Sequence, residues 1–283
     1  MIVLLKSASK LLGLFLLLLL SFIYTDKVFS EARNSDPVMK SVMSYKKEND
    51  VRPVEPKIKD DEMILGLSGL EVNARTSYKN MKQDDKFSED KIVYDTKLPE
   101  NSISKNYDYY ITQGNDSKEL VSIIFRITSD DYVDKLLSLV AQTNVSVNFF
   151  VDGSWLEENV ERAFSMNNLD AEIYNLGYDG AYDKSMISVT NNLIESITLK
   201  DSNLCLNVEK NDDDKELCAK RKMHTITPNI INPSISELKK KLNKGEMIVF
   251  DASEFDYNNF KLMVNTITSR GYEIVGLSDL IKE

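Results

Sequence analysis

The chain has 283 residues, 42% of them apolar, enough for one sizeable domain with extensions and a genuine core. Its 45 Asp and Glu outweigh 35 Lys and Arg, for a formal net charge of −10. An acidic surface argues against nucleic acid, anionic lipid headgroups and anionic wall polymers as main partners, and leaves neutral glycans and proteins open.

Residues 1–30 place Lys6 and Lys10 before an apolar run from Leu11 to Tyr24, broken only by Gly13 and Ser21. The run is short for a spanning helix, and Val28-Phe29-Ser30 is a tolerable cleavage site. The segment reads as a signal peptide or an N-terminal membrane anchor. The protein is therefore expected to be exported: extracytoplasmic, secreted or membrane-anchored. Residues 31–60 are polar and charged, carry Pro37, Pro53 and Pro56, and read as a flexible linker. Residues 61–119 read as a small α+β extension. It has a strand-like run at Met63–Leu67, a helix over Val72–Met81, and extended segments at Ile92–Tyr94 and Tyr107–Ile111. Gly114-Asn115-Asp116 marks a turn.

From Leu120 the pattern becomes regular. Apolar strands are expected at 121–127, 145–151, 171–176, 204–208, 223–227, 246–250 and 273–276. Helices alternate with them. Ser129 is placed to cap one through Val133, Leu136, Leu137 and Val140, and Gly153-Ser154 opens another. A third spans Ser185–Leu199. Ser234 and Glu237 form a capping box, and Gly245 and Gly271 end the later helices. Continuous apolar strands between helices predict a parallel sheet, and seven such units favour barrel-like closure. Chemistry then belongs at the C-terminal strand ends. Cys205 and Cys218 are an even pair in an exported chain and are expected to be a disulfide, with two reduced buried thiols as the alternative.

Val147-Asn148-Phe149-Phe150-Val151-Asp152-Gly153 resembles the second strand of the polysaccharide-deacetylase (NodB-type) family. Other landmarks follow in the family's order over residues 120–283. Ser122–Ile127 stands at the first motif, and Glu172–Asn175 precedes the metal-binding motif. Gly245–Phe250 matches the late strand, and Gly271-Tyr272-Glu273-Ile274-Val275 the closing one. The resemblance implies a distorted seven-stranded (β/α) barrel. It also implies a zinc ion held by one Asp and two His, an Asp base and a late His acid that together deacetylate glycans.

The corresponding positions here lack that chemistry. Arg126 and Ile127 stand where the two Asp belong, Leu176 and Gly180 where the His ligands belong, and Asp251 where the acid belongs. Asp130-Asp131 lie past the strand end and read as a helix start. No zinc or other cofactor is expected. The single His224 reads as a surface or strand-edge residue. Asp179, Asp183 and Asp251 are the only basis for a rearranged carboxylate metal site, and the plainer reading is solvated loop acids. Asp212-Asp213-Asp214 reads as a helix N-terminus. Trp155, Tyr178 and Tyr182 are candidates to stack on sugar rings, Trp155 equally a core residue. The expected protein is a catalytically inactive, deacetylase-like component of the cell envelope that binds glycan or an envelope protein. A divergent metal-dependent deacetylase and a purely structural or regulatory envelope partner are the alternatives.

Overall fold

The computed structural model describes residues 2–130, 132–169 and 171–283, with side chains from Phe15 onward except Asp26. Asp131 and the side chains of Lys6 and Lys10 lie outside the described residues. In chain order the elements are α1 (Ile2–Ser35), α2 (Pro37–Asn49), β1 (Lys57–Lys59), β2 (Glu62–Ile64), β3 (Gly69–Val72), α3 (Ala74–Met81), β4 (Tyr94–Lys97) and β5 (Tyr110–Gln113). Then come β6 (Leu120–Ile127), α4 (Val133–Thr143), β7 (Asn148–Val151), α5 (Gly153–Glu158), α6 (Val160–Asn167), β8 (Glu172–Asn175) and α7 (Met186–Thr198). The remainder is β9 (Leu204–Leu206), α8 (Asp212–Lys220), β10 (His224–Ile226), β11 (Ile230–Ile231), α9 (Ile235–Lys241), β12 (Met247–Asp251), α10 (Phe260–Thr268), β13 (Glu273–Ile274) and α11 (Leu277–Leu280). No helix among the described residues is long and apolar enough to cross a membrane.

The chain forms two compact units, one of Met1–Arg52 with Gly69–Lys97, the other of Pro53–Ser68 with Leu98–Glu283. The expectation of a flexible linker over 31–60 fails in the first unit. The Asp36 carboxylate caps α2 by accepting from the Val38 amide at 2.9 Å, and Pro37 fills the first helical position, where its missing N–H costs nothing. Val38, Met39 and Val42 fall on one face of α2 and are buried. Val38 and Val42 join Val72 and Met81 in a small core. The expected extension over 61–119 is likewise divided: β3, α3 and β4 belong to the first unit, β2 and β5 to the second.

The second unit is built on a curled, mainly parallel half-barrel sheet. Its order is β1-β2-β5-β10-β9-β8-β7-β6-β12-β11, with β13 paired to the start of β6. The seventh expected strand is only Glu273–Ile274, and β5, β2 and β1 extend the sheet beyond β10. Side chains alternate between two cores, as the two-residue strand period requires. Ile123, Phe125 and Ile127 of β6 pack into the helix-side core with Phe149 of β7 and Phe250 of β12. Ile124, Phe150, Tyr174, Leu206 and Val249 pack into the inner face. Buried Asn148 locks the closing segment. Its Nδ2 donates to the Ile123 carbonyl at 2.9 Å, and its Oδ1 accepts from the Leu277 amide at 2.8 Å.

Two local expectations need correction. Ser129 does not cap α4; the N-cap residue is Tyr132, in the left-handed region at φ 66°, without a side-chain cap bond. Nearby Asp130 accepts instead from Trp155 Nε1 at 2.8 Å. His224 is neither on the surface nor at an edge. It is 7% exposed, its strand β10 lies between β5 and β9, and its ring stacks on Tyr107 at 4.4 Å. Burial pulls its pKa down to about 4, so it is neutral at physiological pH.

Candidate functional site at the strand ends

A cavity of about 300 Å³ opens at the C-terminal ends of the strands. Arg126 and Thr128 after β6, Leu176 after β8, and Leu206 at the end of β9 form part of its wall. Gly180, Ala181 and Tyr182 come from the loop after β8. Asn207, Glu209, Asn211 and Asp214 come from the β9–α8 segment.

Strand alternation decides which of the expected site positions reach this cavity. Arg126 follows Ile124 on the inner face and lines it. Ile127 points the other way and is fully buried against the helices, so only one of the first motif's two positions is in the groove. Asp251 is the register partner of Arg126 on the neighbouring strand β12. Its Oδ1 stands 3.1 Å from Arg126 Nε. The approach is at ion-pair distance but badly angled, and Nε is buried without a hydrogen-bond acceptor. The other Asp251 oxygen accepts from Asn232 Nδ2 at 2.7 Å.

Asp152, unremarked in the sequence reading, organises the loop. It is 3% exposed and caps α5 by accepting from the Ser154 amide at 2.9 Å. It also accepts from the Asp179 amide at 3.2 Å and the Gly180 amide at 2.8 Å. The loop thus hangs on one buried carboxylate. Gly177 sits at φ +94°, where a Cβ would meet the Ala181 carbonyl oxygen at 2.4 Å, so the turn needs glycine. A Cβ on Gly153 would lie 2.2 Å from Thr190 Oγ1, which makes the Asp-Gly pair after β7 a packing requirement.

The aromatic candidates separate. Trp155 is 5% exposed, in the helix-side core, with its indole N–H given to Asp130; it is not available to stack on a sugar. Tyr178 is half-buried and donates to Glu157 at 2.8 Å. Tyr182 lines the cavity. Its hydroxyl accepts from the Leu206 amide and donates to the Asn175 carbonyl, each at 2.9 Å. Burial holds its pKa well above the ordinary tyrosine range, so it acts as a neutral strut.

The acids do not converge. Asp183 is exposed and accepts from the Ser185 and Met186 amides at 2.8 and 3.2 Å, a local helix start. Asp179 is exposed, and Asp251 faces Arg126. Among the described residues no three His, Cys, Asp or Glu side chains are grouped to hold a metal ion. At the positions where the resemblance implies zinc ligands, Ile127 points into the core, Leu176 brings an alkyl group and Gly180 no side chain, a set that does not fit zinc. Cys205 of β9 and Cys218 of α8 are bonded to each other, both fully buried.

No family model matches the chain. It is 24% identical over 273 residues to an uncharacterized Bacillus subtilis protein, YlxY, covering 88% of this chain and 85% of that protein. Among solved structures it is similar to BA3943, a CE4 family pseudoenzyme of Bacillus anthracis. The TM-score is 0.66 at 18% identity, over 88% of this chain and 96% of that chain. A BA3943 mutant with restored enzymatic activity matches at 0.66 and 18% identity, over 87% of this chain and 98% of that one. PdaA of Bacillus subtilis, a family 4 carbohydrate esterase, matches at TM-score 0.54 and 15% identity, over 66% of this chain and 91% of that one. The protein thus has the fold shared by the CE4 family proteins BA3943 and PdaA. Its likeness to the pseudoenzyme spans most of the chain, where that to the esterase PdaA spans two thirds.

Proposed function

We propose that the protein is an exported, non-catalytic member of the polysaccharide-deacetylase family that binds glycan at the cell envelope. One observation carries the reading. The inner-face end of β6 presents Arg126, which cannot act as a base at neutral pH and faces Asp251. Metal-assisted deacetylation needs ligands for a polarising cation at this place, and Arg126, Leu176 and Gly180 offer none. The pocket itself is retained, which supports binding without turnover. The similarity to a Bacillus anthracis pseudoenzyme agrees with a fold that outlives its chemistry. Exposed apolar side chains from Phe15 to Ile23 support an N-terminal segment that directs export or associates with a membrane.

Co-sedimentation with insoluble cell-wall glycan tests the reading. The wild-type chain should pellet with the glycan. Ala181→Trp should stay in the supernatant, because Ala181 is exposed, lines the cavity, and a bulky ring there fills it without disturbing the core. Equal pelleting of the variant, or none by the wild type, would remove glycan from the proposal and leave an envelope protein as the partner.

A further inference from the structure

The strand-end cavity holds two opposite charges that the protein does not neutralise well. Arg126 is 31% exposed as a side chain, and its Nε is buried without an acceptor although Asp251 Oδ1 is 3.1 Å away. Asp214 on α8 lines the same cavity and is half-buried. Burial, then the charge of Asp213, holds its carboxyl above the usual range, and no cation among the described residues offsets this. Asn207 is not free to answer either charge: its side-chain amide is spent on the Asn211 backbone, at 2.6 and 3.0 Å.

We infer that this pocket binds a small zwitterion, its carboxylate against Arg126 and its ammonium against Asp214. The inference rests on the proposed reading of the cavity as a ligand site. A simple anion would pair Arg126 but meet Asp214 and exposed Glu209. A simple cation would pair Asp214 but meet Arg126. A neutral ligand would desolvate both charges and pair neither, which is costly. A zwitterion satisfies both walls. A volume of about 300 Å³ is at the small end for ligand pockets and suits one sugar ring or one amino acid.

Four sugars on one ring scaffold separate the charges: muramic acid has an amine and a carboxylate, N-acetylmuramic acid the carboxylate alone, glucosamine the amine alone, and N-acetylglucosamine neither. Glycine serves as a zwitterion without a sugar. Affinities for the full-length chain are measured by titration calorimetry. Muramic acid should bind roughly tenfold tighter than N-acetylmuramic acid or glucosamine, the worth of one charge-assisted contact, and roughly a hundredfold tighter than N-acetylglucosamine, which makes neither. Arg126→Gln should reduce muramic acid to the affinity of glucosamine, and Asp214→Asn to that of N-acetylmuramic acid. Arg126→Lys, which keeps the charge, should retain most of the preference, and this guards against loss through misfolding. Equal binding of all four sugars would overturn the zwitterion while leaving the glycan reading intact. Binding of glycine without any sugar would keep the zwitterion and remove the glycan reading. Absence of binding by all five overturns the inference.

Discussion

Replacing Cys205 and Cys218 together by Ala should lower the stability of the sheet-bearing unit by about 3 kcal/mol, the entropy of closing a short loop in the unfolded chain. The two cysteines are 13 residues apart and join β9 to α8 through a fully buried bond. Ile187 and Met223 pack around the sulfurs, so the bond also centres a small core. The effect reaches the pocket, because β9 leads into Asn207 and Glu209 while α8 carries Asp214. Urea unfolding without reductant should show the variant's midpoint well below that of the wild type. Wild type with reductant should move to the variant's midpoint. Coincident midpoints for oxidised wild type and variant would show that the bond contributes nothing to the folded balance.

The second large effect lies at the start of β12. Glu246 is 7% exposed, one carboxylate oxygen has no partner, and burial alone pushes its pKa up to about 7 from 4.5. The folded state therefore holds its proton where the unfolded state has released it. Stability is fully present below the unfolded pKa, falls as pH rises through this window, and levels off above about 7. The total loss is about 3 kcal/mol, from the size of the shift. Glu246→Gln keeps the shape and removes the charge. It should match wild type near pH 4 and exceed it by roughly 2–3 kcal/mol at pH 8. Chemical denaturation at a series of pH values checks this. Parallel pH profiles for the two proteins would mean that the buried carboxylate is solvated or paired.

The fold was legible because its strands are continuous apolar runs between capped helices. The Ser234 and Glu237 capping box forms as the sequence implies, and the Phe149-Phe150 strand lies in the middle of the sheet. What escaped was set by local competition. The residues of α2 looked like linker because Val38, Met39 and Val42 are embedded among charges, yet Asp36-Pro37 was a readable helix start. Ser129 looked like a cap, but the segment is drawn elsewhere by the bond between Asp130 and Trp155. That same bond and its surrounding core remove Trp155 from any sugar platform.

The site was half legible. The motifs put Arg126 and Ile127 side by side where the family's two Asp are expected, with no sign of which reaches the groove. The two-residue strand period separates them, one into the pocket and one into the core. Asp152 was missed because its role is to hold backbone amides brought close only by folding. Asp214 stands at a helix start as the sequence implies, but a linear sequence carries no sign that it lines one cavity with Arg126.

We propose that the strand-end groove, where Arg126 faces Asp251, holds no catalytic metal. Zinc content of the purified chain, measured together with release of acetate from a chromogenic acetyl ester and from chitooligosaccharide, tests it most directly. No stoichiometric zinc and no acetate release above the buffer rate are expected, with or without added metal. One zinc per chain and turnover abolished by a chelator would contradict it.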